Sequence, residues 1–354
     1  MNHLPVFFRW RRLWVGIIFV AIVVAILWPW VAWWRGAYGR SAVWVESRTC
    51  YCLTAAGLDT LYFWGYEAAD SAFARMALTA DAVDTVVRSN GFWYRPLRGI
   101  GRVRVLTAGR VAATWADTLT AQWNDAPGVM MAHQVRACRA QLARLEHEEK
   151  EYRYYIRTHS VQDEGYTLIA GHFSRLKLRH DTLTRLLNKL QRYARLAADS
   201  TLTLHRFTRY AVWPMAADGR RAERPVACTW GGYHQSNDAA WLVPQGAFPT
   251  KGVYAAAGGL VGWWPWWRIL RHDTKSIAVV YNRSAEMGLT GPTAPDRIEG
   301  RLTISRQNMI HNFPTLSGAD GAPVYLPGGY LVGMISGNHV IPVDDLNAML
   351  RRAE

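Results

Sequence analysis

The sequence predicts a three-part fold: a membrane anchor helix at the N-terminal end, a helical middle region, and an all-β domain after it. Residues 13–34 form an uncharged stretch of 22 residues, apolar residues recur at three-four spacing between residues 128 and 191, and strand-like alternation begins near residue 192. We therefore expect an anchor at 1–40, an unassigned mixed segment at 41–127, a helical or coiled-coil-like region at 128–191 and a β domain at 192–354.

The anchor is predicted from its length and from the residues at its two ends. At about 1.5 Å per residue, a helix over residues 13–34 spans the hydrocarbon layer of roughly 30 Å. Trp14 lies near one end and Trp33 and Trp34 lie at the other, where aromatic rings favour the interface. An uncleaved anchor is favoured over a signal peptide, because the run exceeds a signal core and no small-residue cleavage site follows it. We expect a single-pass membrane protein, with the membrane as a partner.

The middle region is predicted to contain two amphipathic helices. Apolar positions such as Val135, Cys138 and Leu142 recur at three-four spacing, and a second pattern begins near Phe173. Asp163, Glu164 and Gly165 form a plausible break between the two helices. Two interpretations stay open: an oligomerising coiled coil with self-association through residues 132–157, or a helical hairpin packed on its own domain.

Composition supports globular parts and leaves the partner open. Half of the 354 residues are hydrophobic, which excludes wholesale disorder. Lys and Arg number 41 against 27 Asp and Glu, a balance that suits RNA or an anionic membrane surface. Because the arginines are scattered along the sequence, a solvated basic surface is the favoured interpretation. The four cysteines show neither zinc spacing nor a disulfide framework, and we expect no metal and no cofactor.

Three blocks of the last third carry candidate catalytic residues. An alternating stretch, TLTLHRF, contains His205, and NDAAWL contains Asp238 ahead of a short apolar strand. A glycine-rich loop, GADGAP, includes Gly318, Gly321 and Pro323, and the strand VGMISG follows it.

In this order, the blocks resemble the triad segments of trypsin-like serine proteases. In that family a strand rising to Thr-x-x-His supplies the base, Asp-x-Ala-x-Leu supplies the carboxylate, and Gly-x-Ser-Gly-x-Pro supplies the nucleophile, followed by Val-Gly-x-x-Ser-Gly. The resemblance covers roughly residues 190–345 and implies an all-β double-barrel domain. It also implies that His205 is the base and Asp238 the orienting acid, although Leu202 stands where the family has Thr.

The loop departs from the family at the nucleophile. Asp320 occupies the serine position, and its charge would oppose an oxyanion forming beside it. The resemblance implies an oxyanion loop and a specificity pocket; the loop residues are Gly318, Ala319 and Gly321, and the pocket residues are Thr315, Ser336, Gly337 and His339. Ile335 stands where proteases that cut after Gln or Glu carry a pocket histidine, which argues against that specificity.

An anchor, helices and a trypsin-like domain in this order resemble the N-terminal region of replicase polyproteins of positive-strand RNA viruses, of the sobemovirus and astrovirus type. That resemblance implies a host intracellular membrane and a peptide or polyprotein segment as partner. Two functions stay open, so the sequence leaves enzymatic activity undecided. One is an inactive protease-fold scaffold, which Asp320 favours; the other is an endopeptidase with a non-standard nucleophile such as Ser317.

Overall fold

The computed structural model describes most of the chain after residue 36 and divides it into two compact units. The described residues are 14–20, 23, 37–67, 69, 72–96, 102–112, 123–124, 127–197, 202–214, 222–246, 256–257, 274–281, 295–305, 308–313, 319–326 and 330–352. Unit 1 comprises Met1–Ser47, Val87–Ala113 and Arg209–Glu354, and unit 2 comprises Arg48–Val86 and Thr114–Thr208.

Strands dominate the described residues. In chain order they are β1 (Ala42–Ala55), β2 (Leu58–Phe63), β3 (Gly65–Glu67), β4 (Ala72–Ala74), β5 (Thr85–Arg95), β6 (Arg104–Ala108), β7 (Thr203–Pro214), β8 (Val226–His234), β9 (Ala239–Pro244), β10 (Ala256–Ala257), β11 (Thr274–Tyr281), β12 (Pro295–Ser305), β13 (Asn308–His311), β14 (Pro323–Leu326), β15 (Tyr330–Ser336) and β16 (His339–Pro342). The α-helices are α1 (Pro127–Thr158), α2 (Tyr166–Leu196) and α3 (Val343–Arg352).

The last six strands form a closed antiparallel barrel in unit 1. Their order around the barrel is β11-β12-β13-β16-β15-β14. Burial alternates along β12: Leu302 is buried in the barrel core, whereas its neighbours Arg301 and Thr303 are exposed. Since successive side chains of a strand point to opposite faces, one apolar row is enough to fill the barrel interior.

Eight of the remaining ten described strands, all except β3 and β4, form a second sheet. Its order is β10-β5-β6-β9-β8-β7-β1-β2, and an additional pairing joins β5 to β1. Six strands therefore follow one another in a ring of pairings: β1, β5, β6, β9, β8 and β7. The closed antiparallel barrel of β11–β16 together with this second sheet is consistent with the double-barrel fold of trypsin-like proteases. The strands β1, β5 and β6 lie in the segment 41–127 that the sequence left unassigned, and α1 and α2 lie between β6 and β7 in the chain.

Unit 2 is built around the two long helices, which confirms the predicted helical middle region. They form a hairpin whose connection includes the predicted break at Asp163 to Gly165. Side chains of both helices share a core with β1, β2 and β4, including Met131, Leu190 and Phe63. Self-association through residues 132–157 stays a prediction.

Polar side chains fasten the hairpin to the strands of unit 2. Gln134 Oε1 of α1 accepts a hydrogen bond from the backbone N–H of Phe73 at 2.8 Å. On α2, the buried Tyr193 hydroxyl lies 3.1 Å from the Leu53 carbonyl and 2.7 Å from the Asp59 carbonyl, at the β1–β2 hairpin. The helices are thus positioned by specific bonds as well as by apolar contacts.

Two predictions are wrong: the anchor helix as part of the fold class, and the single-pass membrane location that depended on it. Among the residues that the structure describes, no helix is both long and apolar enough to cross a bilayer. Of the stretch 13–34, residues 14–20 are helical and residue 23 is described; the others lie outside the described residues. Length and hydropathy of a stretch of sequence do not by themselves establish a continuous helix.

Replacing Tyr193 with Phe tests the attachment of α2 within unit 2. We expect Tyr193→Phe to lower the free energy of unfolding by about 1–2 kcal/mol, because buried carbonyls lose a donor. The matched control is Tyr154→Phe on α1, where the side chain is 72 % exposed and the expected change is below about 0.5 kcal/mol. Equal effects of the two variants in urea unfolding would contradict the role given to the Tyr193 hydroxyl.

Candidate functional site

Asp238 directly precedes β9 and has a strained backbone conformation. It follows a short 3-10 turn, Gln235–Asn237, and has a φ of 46°, a left-handed conformation that Asp tolerates better than most residues. Its Oδ1 lies 3.5 Å from the Tyr233 hydroxyl. Burial and then the Asp238 carboxylate raise the pKa of Tyr233, so this phenol remains a neutral donor toward the carboxylate.

The end of β6 lies directly against Asp238. Ala108 pairs with Ala239 across β6 and β9, and the next N–H, that of Gly109, donates to the Asp238 carbonyl at 2.8 Å. A Cβ on Gly109 would lie 2.2 Å from Asp238 Oδ1 and 2.3 Å from Tyr233 Cε2, so a larger residue there would displace both side chains. Arg110 follows in the 3-10 turn Gly109–Ala112. An arginine therefore follows directly after Gly109, the residue whose N–H bonds to the Asp238 carbonyl.

Gly321 brings the GADGAP loop against the same strand. Its φ is 87°, and a Cβ there would lie 2.0 Å from the Asn90 carbonyl oxygen of β5 and 2.9 Å from the Ala108 nitrogen of β6. Ser89 of β5 adds a hydrogen bond from its hydroxyl to the Asp320 carbonyl at 2.9 Å. The short segment Ala108–Gly109 thus contacts the surroundings of Asp238 on one side and the Asp320 loop on the other.

Asp320 itself binds the turn between β15 and β16. Its Oδ1 accepts the backbone N–H of Gly337 at 2.8 Å. The carbonyl of the same Gly337 lies 3.0 Å from Nε2 of His311, and since a carbonyl only accepts, Nε2 carries the proton. We call Asp320, Gly337 and His311 the Gly337 clamp. A carboxylate in the serine position is therefore used as a hydrogen-bond acceptor for the backbone.

His311 is the buried member of the clamp. It is 8 % exposed, and its Nδ1 is buried with no hydrogen-bond partner among the described residues. Burial lowers the pKa of His311 and His339 lowers it further, whereas the Gly337 carbonyl and Asp320 raise it. Because burial is the largest of these effects, the imidazole is held neutral near pH 7.

The structure brings several of the predicted site residues together in unit 1. Asp320, Gly321 and Gly337 are joined through the contacts above, and Ser336 pairs with His339 across β15 and β16. The N–H of Gly321 donates to the Ile335 carbonyl at 2.9 Å, and that of Ala322 to the Ala319 carbonyl at 3.0 Å. The N–H of Gly321, in the predicted oxyanion loop, is therefore already paired.

Other predicted residues are placed elsewhere or fall outside the description. His205 is the third residue of β7 and belongs to unit 2, whereas Asp238 and Asp320 belong to unit 1. His205 as the base stays a sequence-based prediction. Thr315, Ser317 and Gly318 lie outside the described residues.

Arg110 was missed because the sequence was searched for a histidine. The family pattern Thr-x-x-His is matched in spacing at Thr107-Ala108-Gly109-Arg110, at the end of a strand that pairs with the strand after Asp238. A search for Thr-x-x followed by any residue would have found it. An arginine does not accept a proton at neutral pH, so this match in spacing lacks the family's base.

No protein-family model matches the chain, and a search of the curated proteins finds none that matches it. The function is therefore inferred from the geometry of unit 1.

At Gly321 the loop lies so close to the backbone of β5 and β6 that there is no room for a side chain. We expect Gly321→Ala to lower the free energy of unfolding by at least about 3 kcal/mol, since strain from the left-handed backbone adds to a clash with the backbone of β5. The matched control is Gly246→Ala, with a φ of 89° and nothing within 4 Å of the added Cβ, for which about 1 kcal/mol is expected. Equal losses in denaturant unfolding would show that the close approach is not a constraint.

Burial of His311 makes stability depend on pH. Its pKa is lowered in the folded state, so the unfolded chain binds the extra proton as the pH falls below about 6.5. The stability that a neutral His311 contributes is present above that value and is lost as the pH falls toward the folded pKa. We expect His311→Gln to lose less stability than the parent chain between pH 7.5 and pH 5, measured by urea unfolding. Parallel pH profiles would contradict this.

Proposed function

We propose that this chain is a trypsin-like protease-fold protein whose site binds a peptide or polyprotein segment without cleaving it. The observation that carries the proposal is the bond from Gly337 N–H to Asp320 Oδ1 at 2.8 Å. In the resemblance Asp320 stands where the nucleophile belongs, and here its carboxylate is used to hold the neighbouring turn.

The end of β6 supports the proposal independently. A serine hydroxyl becomes nucleophilic only when a base takes its proton, and a carboxylate fixes that base. Asp238 is present, but Arg110 follows the residue whose N–H bonds to it. In this proposal Arg110 occupies the position of the base and Asp320 that of the nucleophile, so two of the three chemical roles are unfilled.

The biological setting is proposed from the sequence resemblance. Without the anchor, a helical region followed by a trypsin-like domain still resembles replicase polyproteins of positive-strand RNA viruses, in which the protease cuts its own polyprotein. A protease fold without the catalytic nucleophile suits a scaffold that holds a neighbouring polyprotein segment.

A fluorophosphonate serine probe tests the proposal on the full-length chain. We expect no labelling of the parent chain and little labelling of Asp320→Ser, because Arg110 cannot take the serine proton. The double variant Arg110→His/Asp320→Ser is expected to be labelled, because it restores a base and a nucleophile beside Asp238. Adding His205→Ala to the double variant serves as the control and is expected to leave labelling unchanged.

Two outcomes would contradict this account. Labelling of the parent chain that disappears on Ser317→Ala would establish an endopeptidase with a non-standard nucleophile. Labelling of Asp320→Ser that disappears on His205→Ala would identify His205 as the base and overturn the role of Arg110. Thermal unfolding of each variant shows whether a negative result reflects chemistry or loss of the fold.

A further inference from the structure

The two long helices differ in their balance of charge, and α2 has the larger net positive charge. This helix of 31 residues carries seven basic residues and a single acidic one, Asp181; the basic residues are Arg175, Lys177, Arg179, Arg185, Lys189, Arg192 and Arg195. Part of the basic excess of the sequence is therefore gathered on one helix.

Most of these cations have no partner in the part of the chain that the structure describes. Lys189 donates to the Thr60 carbonyl at 2.7 Å, and Arg185 Nε donates to the Asp181 carbonyl of its own helix at 3.4 Å. The other five are exposed, and no described carboxylate forms an ion pair with any of them; they are Arg175, Lys177, Arg179, Arg192 and Arg195. We call these five residues the α2 cations.

A structural role explains only part of this set. Arg195 lies in the last turn of α2, where a cation is stabilised by the helix dipole. Arg175, Lys177 and Arg179 lie near the middle of the helix, where the dipole gives no such stabilisation. Like charges at positions i and i+4, as in Arg175 and Arg179, cost the isolated helix a few tenths of a kcal/mol.

The apolar side of α2 is already used within unit 2. Leu186, Leu190 and Tyr193 are buried in the core, and Leu183 and Leu187 pack against it. Two exposed leucines, Leu168 and Leu178, are ten residues apart and form no continuous apolar stripe. An interfacial membrane helix needs an apolar face free to enter the lipid, so the exposed side of α2 fits a soluble polyanion better than a bilayer.

We propose that the α2 cations bind the phosphodiester backbone of a single-stranded polynucleotide without reading its base sequence. At about 3.6 residues per turn, Lys177, Arg192 and Arg195 lie on one side of the helix and span about 27 Å, whereas Arg175 and Arg179 lie at the far edge of its exposed surface. The first three are spaced to follow several consecutive phosphates. Arginine suits this ligand because its planar guanidinium contacts two phosphate oxygens at once. This surface lies in unit 2 and does not depend on the function proposed for unit 1.

The test is fluorescence anisotropy of a labelled 20-nucleotide uridine oligomer with the full chain, at salt concentrations from 50 to 200 mM. We expect the variant Lys177→Gln/Arg192→Gln/Arg195→Gln, whose three cations share one side of α2, to bind at least about tenfold more weakly. Its log–log salt slope should be shallower by about 2, since each contact to a single strand contributes about 0.7. The matched control removes three exposed arginines of unit 1, Arg102→Gln/Arg224→Gln/Arg352→Gln, and should change affinity by less than about twofold.

Three outcomes would overturn the proposal. They are unchanged binding by the α2 variant, an equal loss in the control, and absence of oligomer binding at 50 mM salt. Vesicles containing phosphatidylserine form a second arm: binding to vesicles but not to the oligomer, lost in the α2 variant, would assign the surface to a membrane instead. Thermal unfolding confirms that the variants keep the parent fold, since the replaced side chains are exposed.

Discussion

The close approach of Gly321 to the backbone of β5 and β6 is the constraint on which the site in unit 1 depends. A side chain at this position would collide with the Asn90 carbonyl, so glycine sets how near the loop can come. Because that approach is fixed, Ser89 can bond the Asp320 carbonyl and Asp320 can reach Gly337. The same strand, β6, carries Gly109 against Asp238 on its other side.

The Gly337 clamp explains how a carboxylate is accommodated in a position that suits a serine. An acceptor oxygen of Asp320 takes one backbone N–H, and the neutral His311 donates to the carbonyl of the same residue. A charged acceptor strengthens the first bond, and burial keeps the second donor uncharged. Under the proposed function, Asp320 thus has a structural role at the position where the family has its nucleophile.

Much of unit 1 could be predicted from sequence, because short glycine-rich patterns and strand alternation are local. GADGAP and NDAAWL identified Asp320 and Asp238. A second match in spacing to the Thr-x-x-His pattern, Thr107 to Arg110 at the end of β6, was missed because it ends in arginine instead of histidine. His205 as the base stays a prediction. The positive φ of Asp238 arises from tertiary contacts that no local pattern encodes. The anchor was inferred from the length of an uncharged stretch and from the tryptophans at its ends, and among the described residues no helix is long and apolar enough to cross a bilayer.

We propose that Asp320 serves the backbone of Gly337 and performs no chemistry, and NMR of the Gly337 amide tests this most directly. The chemical shift and hydrogen exchange of this amide are compared in the parent chain and in Asp320→Ala at pH 7. We expect faster exchange and an upfield shift in the variant, because the amide loses its acceptor. Equal exchange rates and shifts in the two chains would contradict the clamp and the function inferred from it.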